Sequence, residues 1–70
     1  MEKFYNHKLT INKEQNQLRL DQALAKLSKF TRSQIKILIL SGNVKKDDKI
    51  FKDTSYRVKK DEEYMLNIIL

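Results

Sequence analysis

The chain has no cysteine, no proline and no tryptophan, and only one glycine and one histidine in 70 residues. Without cysteine, neither a disulfide scaffold nor a thiolate metal site can brace it. His7 alone cannot build a zinc site. The missing proline and the single glycine exclude a linker or a low-complexity tract. No run approaches the roughly 18 consecutive apolar residues of a membrane span. The stretch from Met1 to Lys8 lacks the apolar core of a secretory signal. Together these absences read as a cytoplasmic protein with no cofactor, no metal and no membrane partner. A chain of this length forms one domain and buries only about 60% of its unfolded surface, which leaves no room for a cofactor cleft with walls of its own. At 40% hydrophobic and 34% charged residues it is still rich enough in Leu and Ile to fold.

What is present is positive charge, and its placement says more than its sum of +6. Residues 1–21 carry four bases and three acids, net +1, and residues 47–70 carry five bases and six acids, net −1. Between them, residues 22–46 hold Lys26, Lys29, Arg32, Lys36, Lys45 and Lys46 with no acid, so the whole excess lies in one stretch. An uninterrupted basic stretch fits a polyanion, nucleic acid before acidic membrane. A solubilising lysine-rich surface is the plainer alternative.

Hydrophobic spacing assigns this stretch to helices. Lys8 to Asn12 alternates with period 2 and predicts a short strand. A polar loop follows from Asn12 to Gln17. Leu20, Ala23, Leu24 and Leu27 then recur at helical spacing, with Asp21 in the first turn where the helix dipole favours an acid. Asn16 or Gln17 is the expected start of this helix, and Ser28-Lys29 its end, with Phe30 packing back. Thr31-Arg32-Ser33-Gln34 fits a capping box. Ile35, Leu38 and Ile39 form the core stripe of a second helix, which Gly42 ends as the left-handed residue after the cap. Asn43–Lys46 and Lys49–Lys52 flank Asp47-Asp48 as a hairpin, although a turn without glycine is unusual for a primed type. A polar connector over 53–62 is anchored by Tyr56 and Val58. The last strand, from Glu63 to Leu70, has Tyr64, Leu66 and Ile68 on one face. The order is β-α-α-β-β-β, an α+β fold.

On the second helix the core stripe spans about 240° to 340°, with Arg32 and Lys36 at about 0° and 40°. These two cations border the buried face. Arg19 and Lys26, seven apart, share an edge of the first helix. Lys29 lies beside the start of the second, where free N–H groups, the Thr31 and Ser33 hydroxyls and Arg32 suit a phosphate. Lys45 and Lys46 leave the other end and are expected to extend the patch. For Arg32 a salt bridge to Asp21 is an alternative role, for Thr31 and Ser33 capping alone, and for Lys26 and Lys36 simple solvation. Tyr5, Tyr56 and Tyr64 could stack on bases, although Tyr64 suits the sheet better, and no aromatic run of the RRM type occurs.

The phrases Arg19-Leu20-Asp21-Gln22-Ala23-Leu24, Thr31-Arg32-Ser33-Gln34 and Gly42-Asn43-Val44 stand in register with R-L-D-x-x-L, S/T-R-S and G-x-V. In this the chain resembles the S4 RNA-binding domain over about Leu18 to Ile68. With the leading strand, the phrase Leu18 to Leu24 is most similar to the N-terminal S4 module of large-subunit-type bacterial rRNA pseudouridine synthases. The resemblance implies a small S4-like (αL) fold, two short helices packed on a small mostly antiparallel sheet. Residues 1–70 are then a single RNA-binding domain with a flexible 1–7. It implies contacts to structured rRNA at Arg19, Thr31, Arg32, Ser33, Lys36, Asn43 and Lys45. Lys26, Lys29 and Lys46 join the site on charge alone. The chain is expected to be a monomer without catalysis of its own, partnered by RNA and by a C-terminal catalytic domain if its parent is such a synthase. A stand-alone ribosome-associated protein and a protein-docking domain are the alternatives. Arg19-Leu20-Asp21 also looks like the catalytic triplet of those synthases, but on a helix start it reads as the S4 motif.

Five residues depart from the family. Asp47-Asp48 replaces the usual Asn-Gly turn, Asp61 replaces a usual glycine, and Ile37 and Leu40 stand where polar residues are common. At about 140° and 80° these last two lie outside the core stripe, either exposed for docking or buried under the N-terminal segment.

Overall fold

A computed structural model describes residues 4–69. Strand β1 (Phe4–Thr10) is followed by helices α1 (Leu20–Leu27) and α2 (Arg32–Leu40). Then come β2 (Val44–Lys46), β3 (Lys49–Ile50) and β4 (Glu63–Ile69). The sheet runs β1-β4-β2-β3 with every pairing antiparallel, so the expected α+β order and small antiparallel sheet are present. β1 begins earlier than the alternation at Lys8 suggested, and pairs with β4 from Phe4↔Ile69 to Thr10↔Glu63. Of the flexible segment expected over 1–7, residues 1–3 lie outside the described residues, and Phe4 to His7 are paired along β4.

The period-2 alternation of β4 turns Tyr64, Leu66 and Ile68 inward. They meet Leu20, Ala23 and Leu24 of α1 and Ile35 and Ile39 of α2, with Leu9, Ile11, Val44 and Val58 closing the core. Both helices therefore cover one face of the sheet. Leu38, the third residue of the expected α2 stripe, packs at its margin, half-buried.

The start of α1 differs from expectation. Its N-cap is Arg19, with no side-chain cap. Its first amides are satisfied from elsewhere: Leu20 N–H donates to the Tyr56 carbonyl (2.8 Å) and Asp21 N–H to that of Thr54 (3.3 Å). Gln22 N–H donates to Asp21 Oδ1 (2.8 Å). The unsatisfied amides of a helix start are thus met by the distant connector, and neither Asn16 nor Gln17 is needed. Helix α2 is closed locally at both ends. Thr31 Oγ1 accepts from Gln34 N–H (3.2 Å), and Gln34 Oε1 accepts from Thr31 N–H (2.9 Å). At the other end Gly42 adopts φ +83°. The bonds Asn43 N–H to Leu38 O and Gly42 N–H to Ile39 O make a Schellman motif.

Asp47 and Asp48 both have positive φ, +53° and +65°. This is what a two-residue type I′ turn requires, so the hairpin keeps its tight turn without glycine. Asp61 likewise adopts φ +74° in place of a glycine.

Candidate nucleic-acid interface

Asp21 organises the helix-pair edge. Its side chain is only 3% exposed, and it pairs with Arg19 (Nε–Oδ1 3.3 Å) and Arg32 (Nε–Oδ2 3.5 Å). The alternative role for Arg32, a salt bridge to Asp21, is therefore realised. It does not withdraw Arg32 from solvent, because the Arg32 side chain stays 53% exposed. One buried carboxylate holds Arg19 through Nε and Nη2 and Arg32 through Nε, while both arginine side chains keep contact with solvent. Arg19, Asp21, Arg32, Ser33 and Lys36 line one shallow depression. Two arginines and a lysine against one acid leave it cationic. Beside it, the first amides of α2, on Arg32 and Ser33, donate to no acceptor among the described residues. Free N–H groups at a helix start and guanidinium forks are both suited to holding a phosphate. Thr31 is occupied by capping, and the Ser33 hydroxyl is exposed.

The remaining expected site residues are more scattered. Lys26 is exposed in the last turn of α1, and Lys29 is exposed in the turn between the helices. Asn43 is half-buried past the end of α2, where its Nδ2 donates to Ser41 Oγ (3.0 Å). It lines an apolar groove with Phe30, Gln34, Ile37 and Leu38. Lys45 and Lys46 do not extend the helix patch together, because neighbouring residues of a strand point to opposite faces. Lys45 is exposed on the sheet face away from the helices, in a depression it shares with Lys8, Asp47 and Asp48. Lys46 turns inward, pairing with Glu62 (3.0 Å) and lying 5.8 Å from the centre of the Tyr56 ring. Its hydrogen bond to Glu62, opposed by burial, raises its pKa.

The aromatic side chains are also committed. Tyr64 is in the core at 1% exposure. Tyr56 packs edge-on to Phe51 at 5.0 Å and donates its hydroxyl to Glu62 (2.8 Å). The side chain of Tyr5 lies outside those described. Ile37 and Leu40 are exposed, at 66% and 56%.

One cation was missed by the sequence reading. Arg57 forms an antiparallel bridge with Arg19, which sets both side chains on the same side at neighbouring positions. It was hidden in a segment whose acids and bases nearly cancel.

A family model described as the S4 domain matches residues 18–63, well over half the chain. The chain belongs to the S4 domain family. The match spans both helices, the hairpin and the connector that caps α1. No curated protein matches the chain at a significant level. S4 domains bind RNA, and the S4 motif Arg19-Leu20-Asp21 here joins the two helices: Asp21 starts α1 and pairs with the first residue of α2. Among the described residues no helix is long and apolar enough to cross a membrane.

Proposed function

We propose that this S4 domain recognises structured ribosomal RNA through the edge shared by α1 and α2, mainly by its phosphates, and has no catalysis of its own. The observation that carries the reading is the pair of arginines held on buried Asp21 beside Lys36 and the open amides of α2. Lys26, Lys29 and Thr31 complete this surface, with Asn43 and Lys45 as outlying contacts and Lys46 as a contact only if it leaves Glu62. Two short helices cannot enter the deep major groove of A-form RNA, so recognition is led by shape. With about six to eight phosphate contacts, affinity falls steeply with salt.

Titration of a structured rRNA fragment over a range of salt tests this. Arg32→Gln with Lys36→Gln is expected to weaken binding and flatten the salt dependence while a thermal melt still shows a cooperative transition, since Arg19 keeps its pair with Asp21. A salt-independent affinity, or no binding at low salt, rejects the reading.

We further propose that residues 1–70 are one cytoplasmic, monomeric domain, the N-terminal module of an rRNA pseudouridine synthase. The phrase Leu18 to Leu24 and the leading strand support this parentage. A catalytic domain in the reading frame after Leu70 would bear it out. A free-standing ribosome-associated protein would instead co-sediment with large subunits on its own. Exposed Ile37 and Leu40 favour protein docking as a second role, and concentration-dependent association would reveal it.

A further inference from the structure

We infer that the RNA surface continues from the helix pair across the Arg19–Arg57 bridge onto Arg57, Lys59 and Lys60, a phosphate track built by the connector before β4. This inference rests on the RNA reading above and extends its footprint. In sequence these three cations belong to a segment with net charge −1. In the fold Arg57 is set opposite Arg19, and Lys59 and Lys60 follow it along the connector.

Two loops do this. Gln17 N–H donates to the Val58 carbonyl (2.7 Å), and Val58 N–H donates to that of Leu18 (3.0 Å). Further along, the Lys60 amide donates to Asn16 Oδ1 (2.9 Å). Val58 is fully buried in the core, and Arg57, Lys59 and Lys60 around it are exposed. None of the three pairs with a carboxylate among the described residues. The acid best placed to neutralise them, Glu62, takes the Lys59 amide (2.6 Å) and spends its charge on Lys46. Glu14, Asp53 and Asp61 are the other acids of these loops; Asp53 accepts from Ser55, and none of the three holds a side-chain ion pair among the described residues.

The Arg19–Arg57 bridge is the second pointer. Like charges directly opposite each other on paired strands repel. Arg19 is eased by Asp21, whereas Arg57 has only the Gln17 carbonyl, which its Nη1 reaches at 3.4 Å. An anion lying across both guanidinium groups removes the repulsion. Lys36, Arg32 and Arg19 line one depression, Arg57 stands opposite Arg19, and exposed Lys59 follows it, so the cations come from three segments of chain. Such a strip suits a run of successive phosphates better than a single small anion.

The test compares three variants of the full chain on a structured rRNA fragment, reading both affinity and the slope of log affinity against log salt. Each phosphate contact contributes roughly 0.7 to 0.9 to that slope. Arg57→Gln/Lys59→Gln/Lys60→Gln is expected to flatten the slope by about 2 and to weaken binding about tenfold or more at moderate salt. Arg57→Lys/Lys59→Arg/Lys60→Arg keeps the charge and is expected to bind like the parent, with thermal melts confirming that both variants fold. If the glutamine variant binds with the parent's slope while Arg32→Gln/Lys36→Gln is weakened, the track is wrong and the helix-pair reading stands. A loss that the charge-keeping variant shares also overturns the track, since the residues would then act through structure. If the parent does not bind, both readings fall together.

Discussion

Among the described residues, four other than glycine hold a positive φ: Gln17, Asp47, Asp48 and Asp61. For a residue with a Cβ this conformation costs roughly 1–2 kcal/mol, and aspartate tolerates it better than most because its short side chain can bond locally. Asp61 sits where β1 gives way to the loop across from it, and its N–H donates to the Ile11 carbonyl at 2.7 Å. The turn is fixed by that bond and by Ile11 N–H to Glu62 O (2.8 Å), so the backbone cannot relax without losing part of the edge of the sheet. Asp61→Gly removes the strain and returns part of the gain as extra freedom of the unfolded chain. The net expectation is a gain of about 0.5 kcal/mol, which raises the melting temperature by roughly 2–4 °C in a domain of this size. Asp61→Val is expected to lower it. A glycine variant that melts at or below the parent would show that the left-handed backbone carries no cost here.

Helix α2 was legible in the sequence because both its signals are local. Thr31 and Gln34 close its start, and Gly42 closes its end, within the residues they cap. Helix α1 was legible in its apolar stripe but not in its start, because the groups that satisfy its amides, the Tyr56 and Thr54 carbonyls, come from more than thirty positions away. The same distance hid Arg57 from the site, since only the fold sets it opposite Arg19. Lys45 and Lys46 failed as a pair for the opposite reason: adjacency in sequence became opposition across the sheet. The strand phase that separates them could have been read from Val44. The polar run at Asn6-His7-Lys8 also masked the early start of β1, whose backbone pairs with β4 throughout. The local character of the α2 end has a measurable consequence at Gly42. A Cβ there would meet Lys52 Cε at 3.7 Å and Ile50 Cγ2 at 3.8 Å, ordinary contacts. Gly42→Ala is therefore expected to cost about 1 kcal/mol through its φ of +83° alone. In a thermal melt, Gly42→Asn should lie between the alanine variant and the parent. Equal melting of alanine and parent would deny the Schellman end its role.

At the scale of the molecule, the order β1-β4-β2-β3 makes the first and last strands neighbours, and one carboxylate ties the parts brought together. Glu62, just before β4, accepts the Lys59 N–H (2.6 Å) and the hydroxyls of Tyr56 (2.8 Å) and Tyr64 (3.2 Å), and pairs with Lys46 of β2 (3.0 Å). Burial pushes its carboxyl up, but the Lys59 amide, the Tyr56 hydroxyl and the Lys46 ammonium together outweigh this and hold it below its ordinary 4.5. Lys46 and Tyr56 move upward, each chiefly through its hydrogen bond to Glu62, and Tyr64 moves upward chiefly through burial. A depressed carboxyl contributes stability that is complete above about pH 5 and lost as pH falls through its folded value. The raised lysine and tyrosines contribute stability that is complete below their ordinary values near 10 and lost as pH climbs past them. The melting temperature is therefore expected to be level from about pH 5 to 9 and to fall on both sides. Glu62→Gln should lower the level part, by an amount on the order of the 1.5–3 kcal/mol of a charged hydrogen bond, and should make the acid fall shallower, since the group that titrates there is gone. If Glu62→Gln keeps the parent's acid fall unchanged, the acid sensitivity belongs to other carboxylates and Glu62 serves only as a hydrogen-bond acceptor.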